Sequence, residues 1–578
     1  MTSTIPPVDP ALQGLSIAQP ARAEPFLVDG ERVRFAGHQT RGGGQVLFRD
    51  VSGSAGITAA IRPEALGHAA NLVLYPGVAR RDFTGQRGSS LETVIAARTL
   101  PLLAWQLSGS ASDRTEVLLD IATPTASAVV TRSSEGILLS AEELALYLSV
   151  TPEPEEIEVL DTHGRISVSL ELASGTAHTL VLASGSASEA ESAMRAAEHL
   201  AGHAMGAARG EEGTLRVASG IEAVDDGLAW ALARGHGLMV ERPAATLGLG
   251  LAAVSMGHRE GRARALARLM EQDVTSAGLL AARAGSTSGD VRPAADIADR
   301  ILANPDAIDS DLLGLAARSL ADALQYGAHP ETLASLRALG ARAKIAPPAR
   351  RMGGIALPMA GAPAHGTESV PTRATWLAAL LAGDPGEPVL VEDVRASRAR
   401  RAASVFRTDP DRAWADWRAL LDEGLAGGPA GPATWDPLVD LSGPQEDADR
   451  PATSGELILA FVHGMLGLSA DAPVGRLRLA PRMPEHLTSF AVEGIPISDG
   501  TIRMAYERRG DSARFTLEPE RVGVPPLVVF EPSVSGQIQT VLIDGSPAEL
   551  DPRSEAGRTV APVQLPLDST RTVDFTIG

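Results

Sequence analysis

The 578-residue chain contains no cysteine. This absence excludes disulfide bonds, thiolate metal sites and a cysteine nucleophile. Long apolar runs are missing as well, because no stretch approaches the ~20 apolar residues that span a membrane. The first ten residues contain three prolines, and the first 25 contain no apolar run of signal-peptide length. We therefore expect a cytoplasmic protein with no membrane span.

Positive charge is also scarce. The chain has 51 Lys and Arg against 71 Asp and Glu, which gives a formal net charge of −20. Nucleic-acid binding is disfavoured because phosphates need clustered Lys and Arg. A neutral carbohydrate tolerates this field, whereas a polyanion would be repelled unless a local basic cleft existed. The 12 histidines are scattered, and nucleotide-loop, esterase and zinc-peptidase motifs do not occur, so we expect no metal and no cofactor.

Aromatic residues make up only 3% of the chain, with 6 Trp, 4 Tyr and 10 Phe. Sugar-binding clefts commonly use aromatic rings as apolar platforms, so this shortage weighs against a carbohydrate enzyme, although one or two rings can serve a pocket. The remaining composition, 44% hydrophobic and 21% charged, is that of an ordinary globular protein. The length corresponds to roughly three or four domains.

The residues that are present fall into blocks, and the first block has the two-residue period of β-strands. Residues 24–185 alternate apolar and polar side chains, for instance over Ile166–Leu172, and another alternating run follows Ser174-Gly175. Asp29-Gly30 between two such runs is typical of a hairpin turn. We predict an N-terminal β-sandwich over 24–185, preceded by a tail over 1–23.

The second block is helical. Residues 186–212 are rich in Ala, Glu and Leu and predict a linker helix, and helical segments with short Gly- or Pro-containing breaks continue over 213–470. Asp409-Pro410 is a typical helix start, and Thr453 with Glu456 fits a capping box. Helices are predicted over 246–257, 260–272, 290–303, 309–326, 330–343, 372–382, 411–424 and 454–467. Because no fixed sequence period recurs, we expect a closed toroid and not a solenoid.

The last block, residues 471–578, returns to alternating strands and predicts a second β-sandwich, with turns at Arg509-Gly510-Asp511 and Asp544-Gly545. Segregated β, α and β blocks indicate separate domains. One Gly-x-Gly-x-x-Ala match, Gly248–Ala253, lies within a helical run with no strand before it. We therefore interpret its glycines as small residues for close helix packing and not as a dinucleotide site.

Two segments near the end of the helical block carry a family resemblance. The run ATSGELILAFVHGMLGL, followed by PVGRLRLAPRMPEHL, resembles the last toroid helix and exit of six-hairpin glycosidases, especially bacterial α-L-rhamnosidase-like proteins. The pattern is carried by Gly464, Gly467, Leu479, Pro481 and Pro484. The resemblance implies a multidomain α and β fold, with an N-terminal β-sandwich, a central (α/α)6 toroid of helical hairpins and a C-terminal β-sandwich.

The same resemblance implies the catalytic residues. Residues 406–440 resemble the family segment in which a glutamate after Thr-Trp is the general base of an inverting reaction, and this chain has Thr434-Trp435-Asp436 at the matching position. The family's general acid is matched by Glu241 within Met239–Pro243, although the acidic residue that precedes it in the family is missing. We therefore expect Asp436 as the base and Glu241 as the acid.

Four further residues are candidates for substrate binding. Inversion needs two carboxyl groups roughly 6.5–9.5 Å apart, and such groups belong in helix-connecting segments at the toroid mouth. Glu368 and Asp290 lie in such segments, although an acidic residue before a helix commonly serves as an N-terminal cap. Trp435 adjoins the predicted base, and Trp230 lies opposite the apolar stripe of its helix, so both rings are placed to line a sugar cleft.

Not every tryptophan is a candidate. Trp414 and Trp417 share an apolar helical face with Leu420 and Leu421, which favours core packing over sugar stacking. The scarcity of rings and the missing acidic residue leave a second hypothesis open, in which a non-catalytic toroid binds glycan or acts as a structural or assembly module. The expected partner is a carbohydrate ligand, and the sequence does not indicate an oligomeric state.

Overall fold

A computed structural model describes most of residues 15–578. The longest segments outside the described residues are 1–14, 232–242, 342–394 and 427–449, and shorter interruptions occur elsewhere. The chain divides into two compact units. Among the described residues, the first unit holds the N-terminal strands and the first helix, and the second holds the C-terminal strands and nearly all of the other helices.

The strands of the N-terminal unit, β1–β16, follow one another along the chain. Their bounds are Leu15–Ala18, Pro25–Asp29, Val33–His38, Gly44–Arg49, Ala55–Pro63, His68–Tyr75, Val78–Gly85, Gly88–Ala96, Leu102–Gly109, Thr115–Ala122, Val129–Ser133, Gly136–Ala141, Leu144–Thr151, Glu156–Thr162, Arg165–Leu172 and His178–Gly185.

These strands form two antiparallel sheets. One has the strand order β1-β6-β7-β8-β9-β16-β13-β12-β11, and the other has the order β14-β15-β10-β5-β4-β3-β2. Contacts of β2 and β3 with β8, and of β4 with β16, place the sheets face to face. Phe26 and Phe35 from one sheet and Phe83 and Trp105 from the other are fully buried. The predicted N-terminal β-sandwich is therefore confirmed.

Local strand predictions had mixed outcomes. The Asp29-Gly30 turn is confirmed, since β2 pairs with β3 and Asp29 lies opposite Arg34. The alternating runs around Ser174-Gly175 are strands, as predicted, but they are not neighbours. β15 pairs with β10 and β14, whereas β16 pairs with β9 and β13, so this connection crosses from one sheet to the other. The segment 1–23, predicted as a tail, contains β1, which pairs with β6.

Helix α1 spans Ala187–Arg209, within the range predicted for a linker helix. Its first turn is capped reciprocally, because the main-chain N–H of Ser186 donates to the Glu189 carboxylate and the N–H of Glu189 donates to the Ser186 hydroxyl oxygen. Ala190 and Ala193 pack against Leu102 of the nine-stranded sheet in one apolar cluster. The helix therefore covers the outer face of that sheet.

The second unit contains helices α2–α10. Their bounds are Pro243–Ser255, Arg259–Gln272, Val274–Ser288, Arg292–Ala303, Leu313–Leu324, Pro330–Ala341, Arg395–Val405, Pro410–Ala426 and Arg450–Leu459, and a π-helical turn, Ala460–Met465, continues α10. Helices α4 and α8 were not predicted from the sequence, and the helix predicted over 372–382 lies outside the described residues. None of the helices in the described part of the chain is long and apolar enough to span a membrane.

These helices form hairpins arranged around a ring. The even-numbered helices contact one another in the order α6, α4, α2, α10 and α8, and α3, α5 and α7 pack beside them. The contact between α10 and α2 brings the last helix back against the first, as in a closed toroid of helical hairpins. The central helical region between two β-domains is thus confirmed. We call α2, α4, α6, α8 and α10 the inner helices.

Two helix starts test the capping predictions. Asp409 caps α9 as predicted, since its carboxylate accepts from the main-chain N–H of Arg412 at 3.1 Å. The capping box of Thr453 and Glu456 is wrong, because α10 already begins at Arg450 and both residues lie inside the helix. The prolines of the segment explain the shift, since Pro451 fits the first helical turn.

The C-terminal strands are β17–β30. Their bounds are Arg216–Ala218, Ser469–Asp471, Arg476–Leu479, Ser489–Ile497, Gly500–Arg509, Ser512–Arg521, Leu527–Phe530, Ser533–Val534, Ile538–Ile543, Ser546–Pro547, Arg553–Glu555, Arg558–Val560, Val563–Pro566 and Arg571–Ile577. The largest sheet has the order β17-β20-β21-β22-β30-β25-β26, so a strand that precedes the inner helices completes it.

The C-terminal sheets pack as a second β-sandwich. β18, β19, β23 and β29 form a four-stranded sheet. Phe515 on β22 of the large sheet meets Phe530 on β23 of the smaller sheet edge to face, with ring centroids 5.1 Å apart. The turns predicted at Arg509-Gly510-Asp511 and Asp544-Gly545 are confirmed as the β21–β22 and β25–β26 hairpins.

Candidate functional site

Five of the six predicted site residues, Glu241, Trp230, Glu368, Trp435 and Asp436, lie outside the described residues. Three of them nevertheless have informative positions along the chain. Glu241 precedes α2 by two residues, Glu368 lies in the segment that leads to α8, and Asp436 lies in the segment that leads to α10. Along the chain, Asp436 stands 14 residues before α10 begins and Glu368 stands 27 residues before α8 begins.

The starts of neighbouring inner helices lie at one end of the ring. A Cβ placed on Gly455 of α10 would lie 2.8 Å from the carbonyl carbon of Gly248 on α2, and Ser255 of α2 contacts His463 after α10. Since both sequence numbers rise between the two contacts, α2 and α10 run parallel. Helices α2, α3 and α4 are joined by connections of at most three residues, so α4 also runs parallel to α2.

Asp290 is the predicted site residue that the structure describes. It lies between α4 and α5, where its carboxylate pairs bidentately with Arg292, at 2.8 Å to Nε and 2.9 Å to Nη2. The hydrogen bonds from Arg292 lower the pKa of Asp290. Because α4 is an inner helix, Asp290 follows the C-terminal end of that helix, whereas Glu241, Glu368 and Asp436 precede inner helices. Asp290 therefore lies at the end of α4 opposite to the end where that helix begins.

The glycine-rich match in α2 serves helix packing, as predicted. A Cβ on Gly250 would meet Leu280 of α4 at 2.7 Å and Ala265 of α3 at 2.9 Å. The backbones of Gly248 and Gly455 approach too closely for a side chain on Gly455. Gly250 and Gly455 thus let the helices approach one another, and a dinucleotide site is not needed to explain the glycine-rich match.

A buried ion pair joins two inner helices. The Nε of Arg400 on α8 donates to Oε2 of Glu456 on α10 at 2.8 Å, and both side chains are at most 1% exposed. A carboxylate that accepts from a guanidinium in this way forms a charge-assisted hydrogen bond, which fixes both side chains. We therefore assign Glu456 a structural role in fixing α8 against α10.

A second buried polar contact joins α2 to the π-helical turn. The Nδ1 of His463 lies 2.7 Å from the carbonyl oxygen of Leu468, and Nε2 lies 2.8 Å from Oγ of Ser255. A neutral imidazole has one N–H, so Nδ1 donates to Leu468 and Nε2 accepts from the Ser255 hydroxyl, whose proton is shared with the carbonyl oxygen of Leu251 at 2.8 Å. Burial lowers the pKa of His463 to about 3, and the charge of Arg283 adds to this shift. His463 is therefore neutral at physiological pH.

This serine and histidine do not form a nucleophilic site. Ser255 is 2% exposed and His463 is 6% exposed, so a substrate does not reach the hydroxyl. The imidazole is oriented by a main-chain carbonyl and not by a carboxylate. The arrangement matches a satisfied core histidine, and the π-helical turn is the feature that brings it to Ser255.

The tryptophans of α9 belong to the core, as predicted. Trp414 and Trp417 are at most 1% exposed and stack with ring centroids 5.3 Å apart. Trp417 Nε1 donates to the carbonyl oxygen of Leu457 on α10 at 2.9 Å. Neither ring is available to a sugar.

Sequence reasoning missed two residues that join the inner helices. Arg400 lies in the Arg-rich segment RASRARRAASV, whose charge hid the helix, although Ala399, Ala402 and Ala403 mark its buried face. His463 is the lone polar side chain in the apolar run LILAFVHGML, and that isolation was the available signal. Within the described ranges, no group of three or more His, Asp or Glu side chains is suited to a metal ion.

Comparisons with known proteins give weak structural likenesses. No protein-family model and no curated protein matches the sequence. Similar solved structures include a protein assigned as a kojibiose phosphorylase from the human microbiome, with a TM-score of 0.46, 8% identity and coverage of 96% of this chain and 92% of that chain. A family GH92 α-mannosidase from Bacteroides thetaiotaomicron has a TM-score of 0.43, 9% identity and coverage of 92% and 88%.

A further family GH92 glycosyl hydrolase has a TM-score of 0.40, 12% identity and coverage of 97% of both chains. All three proteins carry the names of carbohydrate-active enzymes. Because the TM-scores are below 0.5, the fold described above rests on the strands and helices of this chain alone.

Proposed function

We propose that this protein is a glycoside hydrolase that acts on a carbohydrate at the end of the ring where the inner helices begin. The supporting observation is the contact between α2 and α10. These parallel helices are direct neighbours, and the segments that lead into them contain Glu241 and Asp436. Along the chain, Glu241 stands two residues before α2 and Asp436 stands 14 residues before α10.

The proposed reaction is hydrolysis with inversion. Glu241, protonated, donates its proton to the glycosidic oxygen as the bond to the leaving group breaks. Asp436, ionised, accepts a proton from the water that attacks the opposite face of the anomeric carbon. The two carboxyl groups need a separation of roughly 6.5–9.5 Å to leave room for that water. Trp435 and Trp230 would provide apolar platforms, and Glu368 would bind sugar hydroxyls.

The test compares the wild type with Asp436→Asn on a panel of aryl glycosides. α-L-Rhamnosides come first, because the sequence resembles α-L-rhamnosidase-like proteins. The amide cannot accept the proton of water, so we expect a loss of kcat of at least about 100-fold. Asp299→Asn, an exposed acidic residue on α5, is the matched control and should retain activity. A wild type that cleaves no substrate, or an equally active Asp436→Asn variant, would refute the assignment.

The stereochemical course gives an independent test. Proton NMR of the first product formed from an aryl glycoside distinguishes inversion from retention at the anomeric carbon. A product with the anomeric configuration of the substrate would contradict the roles proposed for Glu241 and Asp436, even if the enzyme is active.

The second candidate is a non-catalytic toroid that binds glycan or acts as a structural or assembly module. It is favoured by the 3% aromatic content and by an aspartate at the position of the family's glutamate. A base that is one methylene shorter stands about 1 Å farther from the water, and such a displacement is costly. Saturable glycan binding without turnover in the wild type would support this candidate over the enzyme.

A further inference from the structure

The seven-stranded sheet of the N-terminal β-sandwich carries a row of side chains that crosses four of its strands. Residues directly opposite one another in an antiparallel pair lie on the same face of the sheet. Gln45 of β4 lies opposite Ala60 of β5, and Ala60 lies opposite Asp120 of β10. Asp120 in turn lies opposite Ser167 of β15. We call Gln45, Ala60, Asp120 and Ser167 the outer row.

The neighbours of these residues along their strands show that the row faces away from the other sheet. Val46, Ala59, Leu119 and Ile166 alternate with the row and are at most 2% exposed, which places them in the core of the sandwich. All four strands are interior strands of the sheet, so their main chains are paired on both sides. A ligand on this face therefore meets side chains and not a free strand edge.

The side-chain amide of Gln45 is buried without a partner. The side chain is 6% exposed, and its Oε1 has no hydrogen bond among the described residues. Most other atoms in this condition are nitrogens of arginines, whose further N–H groups can bond elsewhere. Gln45 has neither an ion pair nor a side-chain hydrogen bond in the described part of the chain. A buried acceptor of this kind is unfavourable unless a ligand or water bonds to it.

The polar groups on the other side of Ala60 retain hydrogen-bonding capacity. Asp120 accepts from Oγ of Ser167 through Oδ1 at 2.9 Å, and it pairs with Nη1 of Arg62 through Oδ2 at 3.0 Å. Arg62 lies two residues after Ala60 on β5 and therefore on the same face. Each carboxylate oxygen has two lone pairs and a guanidinium has five N–H groups, so this set can both accept and donate further hydrogen bonds.

Exposure rises along the row towards the edge of the sheet. Gln45 and Ala60 are buried, Asp120 is 29% exposed, and Leu160, which lies opposite Ser167 on the edge strand β14, is 56% exposed. Ala60 places only a methyl group between the amide and the carboxylate, and the Cα atoms of Gln45 and Asp120 stand about 10 Å apart across two strand spacings. The row therefore has a low centre with hydrogen-bonding groups on both sides, and it is open at the Leu160 end.

We propose that the outer row is a carbohydrate-binding site made of N-terminal residues alone, and that it binds a neutral oligosaccharide. Sugar hydroxyls both donate and accept, so they can donate to Gln45 and Asp120 and accept from Arg62. The carboxylate of Asp120 opposes anionic ligands, as does the net charge of −20. Leu160 offers an apolar surface to the C–H groups of the sugar.

This site goes beyond the proposed hydrolase, because it contains none of the predicted catalytic residues. An enzyme would use it to hold a glycan chain, and a non-catalytic protein would use it as a binding site. The same measurement of binding applies to both cases.

The test measures binding of neutral tetrasaccharides of glucose, mannose and xylose to the full chain by isothermal titration calorimetry. We expect at least one of them to bind with a Kd of about 1 mM or tighter. Gln45→Leu should weaken that binding by about 5- to 10-fold, because it removes one hydrogen-bonding group. Gln272→Leu changes an exposed glutamine at the end of α3 and should bind as the wild type does.

Thermal stability separates a ligand-binding role of Gln45 from a structural one. Since Gln45 has no internal side-chain hydrogen bond to lose, Gln45→Leu should melt at the wild-type temperature or above it while its binding is weakened. A lower melting temperature with unchanged binding would show a structural role and contradict the site. Should Gln45→Leu not fold, Ser167→Ala removes the hydroxyl beside Asp120 and should weaken binding several-fold.

Two further results would overturn the proposal: a wild type that binds none of the three tetrasaccharides, or folded Gln45→Leu and Ser167→Ala variants that bind them unchanged. These results are distinguishable from a failure of the proposed function. Cleavage of aryl glycosides without Gln45-dependent binding overturns the outer-row site alone. Gln45-dependent binding without cleavage of any glycoside overturns the hydrolase alone.

Discussion

The contact between Gly248 and Gly455 allows two glycine-to-alanine substitutions with opposite expected signs. An alanine Cβ at 455 would lie 2.8 Å from the carbonyl carbon of Gly248 and 3.0 Å from the main-chain nitrogen of Leu249. These neighbours are backbone atoms, which cannot rotate away, so α10 must move from α2. Overpacking of this kind costs about 1–3 kcal/mol, and alanine returns up to about 1 kcal/mol through its helix propensity. The expected net loss is about 1–2 kcal/mol.

Gly248→Ala is the matched control, because a Cβ at that position meets nothing within 4 Å. The same change in helix propensity then acts alone, and we expect a gain of about 0.5–1 kcal/mol. Urea unfolding followed by tryptophan fluorescence measures both, since Trp417 is buried and bonded to Leu457 of α10. A Gly455→Ala variant that is as stable as the wild type, or two variants that shift alike, would refute the close approach of α2 and α10.

Three further predictions test buried polar groups. Glu456→Ala removes the carboxylate that lies 2.8 Å from the buried guanidinium of Arg400 and should lower the free energy of unfolding by about 3–5 kcal/mol in urea titrations. The double replacement Arg400→Met with Glu456→Leu should recover most of that loss. A Glu456→Ala variant within about 1 kcal/mol of wild type, on the scale of an exposed pair, would contradict the buried pair. The pKa of His463 is about 3 in the folded protein and ~6.5 in the unfolded chain, so the unfolded chain takes up the proton first as the pH is lowered. The free energy of unfolding should therefore decrease as the pH falls through about 6.5, with a loss of about 2 kcal/mol at pH 5. His463→Gln should remove that part of the pH dependence, and an unchanged slope would count against the assignment. Arg81→Met should destabilise the N-terminal sandwich by about 3 kcal/mol or more in circular dichroism melts, because it removes the cation that pairs with the buried carboxylate of Glu92. Arg80→Met is the control, and it should stay within about 0.5 kcal/mol of wild type because its ion pair is partly exposed. Equal effects of the two variants would show that burial does not decide the outcome.

The sequence predicts the elements whose local signals agree with their tertiary surroundings. Strands with one buried face alternate visibly, and Asp29-Gly30 and Asp409-Pro410 fix their turn and helix start by local chemistry. Trp414 and Trp417 identify a core face because both are apolar and suitably spaced. These features need no information about distant parts of the chain.

Helix α4 shows why other elements escape prediction. Its sequence, VTSAGLLAARAGSTS, contains glycine, serine and threonine, which are weak helix formers. The helix is held by burial between its neighbours, and the hydroxyls of Ser286, Thr287 and Ser288 donate to carbonyl oxygens four residues earlier. The one local signal is Asp273, whose carboxylate caps the N–H of Thr275 at 3.0 Å. Tertiary packing outweighs propensity along the rest of the helix.

The candidate site shows the same limit more strongly. Arg400 pairs with Glu456, 56 residues away in the chain, and His463 pairs with Ser255, 208 residues away. The partners of strand β15 are likewise set by assembly of the sheet. No local pattern specifies such pairings. The predicted catalytic residues came from a resemblance and not from spacing, so Glu241 and Asp436 stay predictions until activity is measured.

The contacts between inner helices also explain how two distant segments can supply one catalytic pair. If Glu241 and Asp436 act together, α2 and α10 must keep their register, because an error of about 1 Å in a positioned base is costly and a slip of one turn amounts to 5.4 Å. Two buried contacts oppose such a slip, Gly455 against Gly248 and His463 against Ser255, and the pair of Glu456 with Arg400 holds α10 against α8. A slip would drive side chains into the glycine contact and separate the buried imidazole of His463 from the Ser255 hydroxyl. The residues that fix the register are therefore expected to affect turnover when mutated, although none of them contacts the substrate.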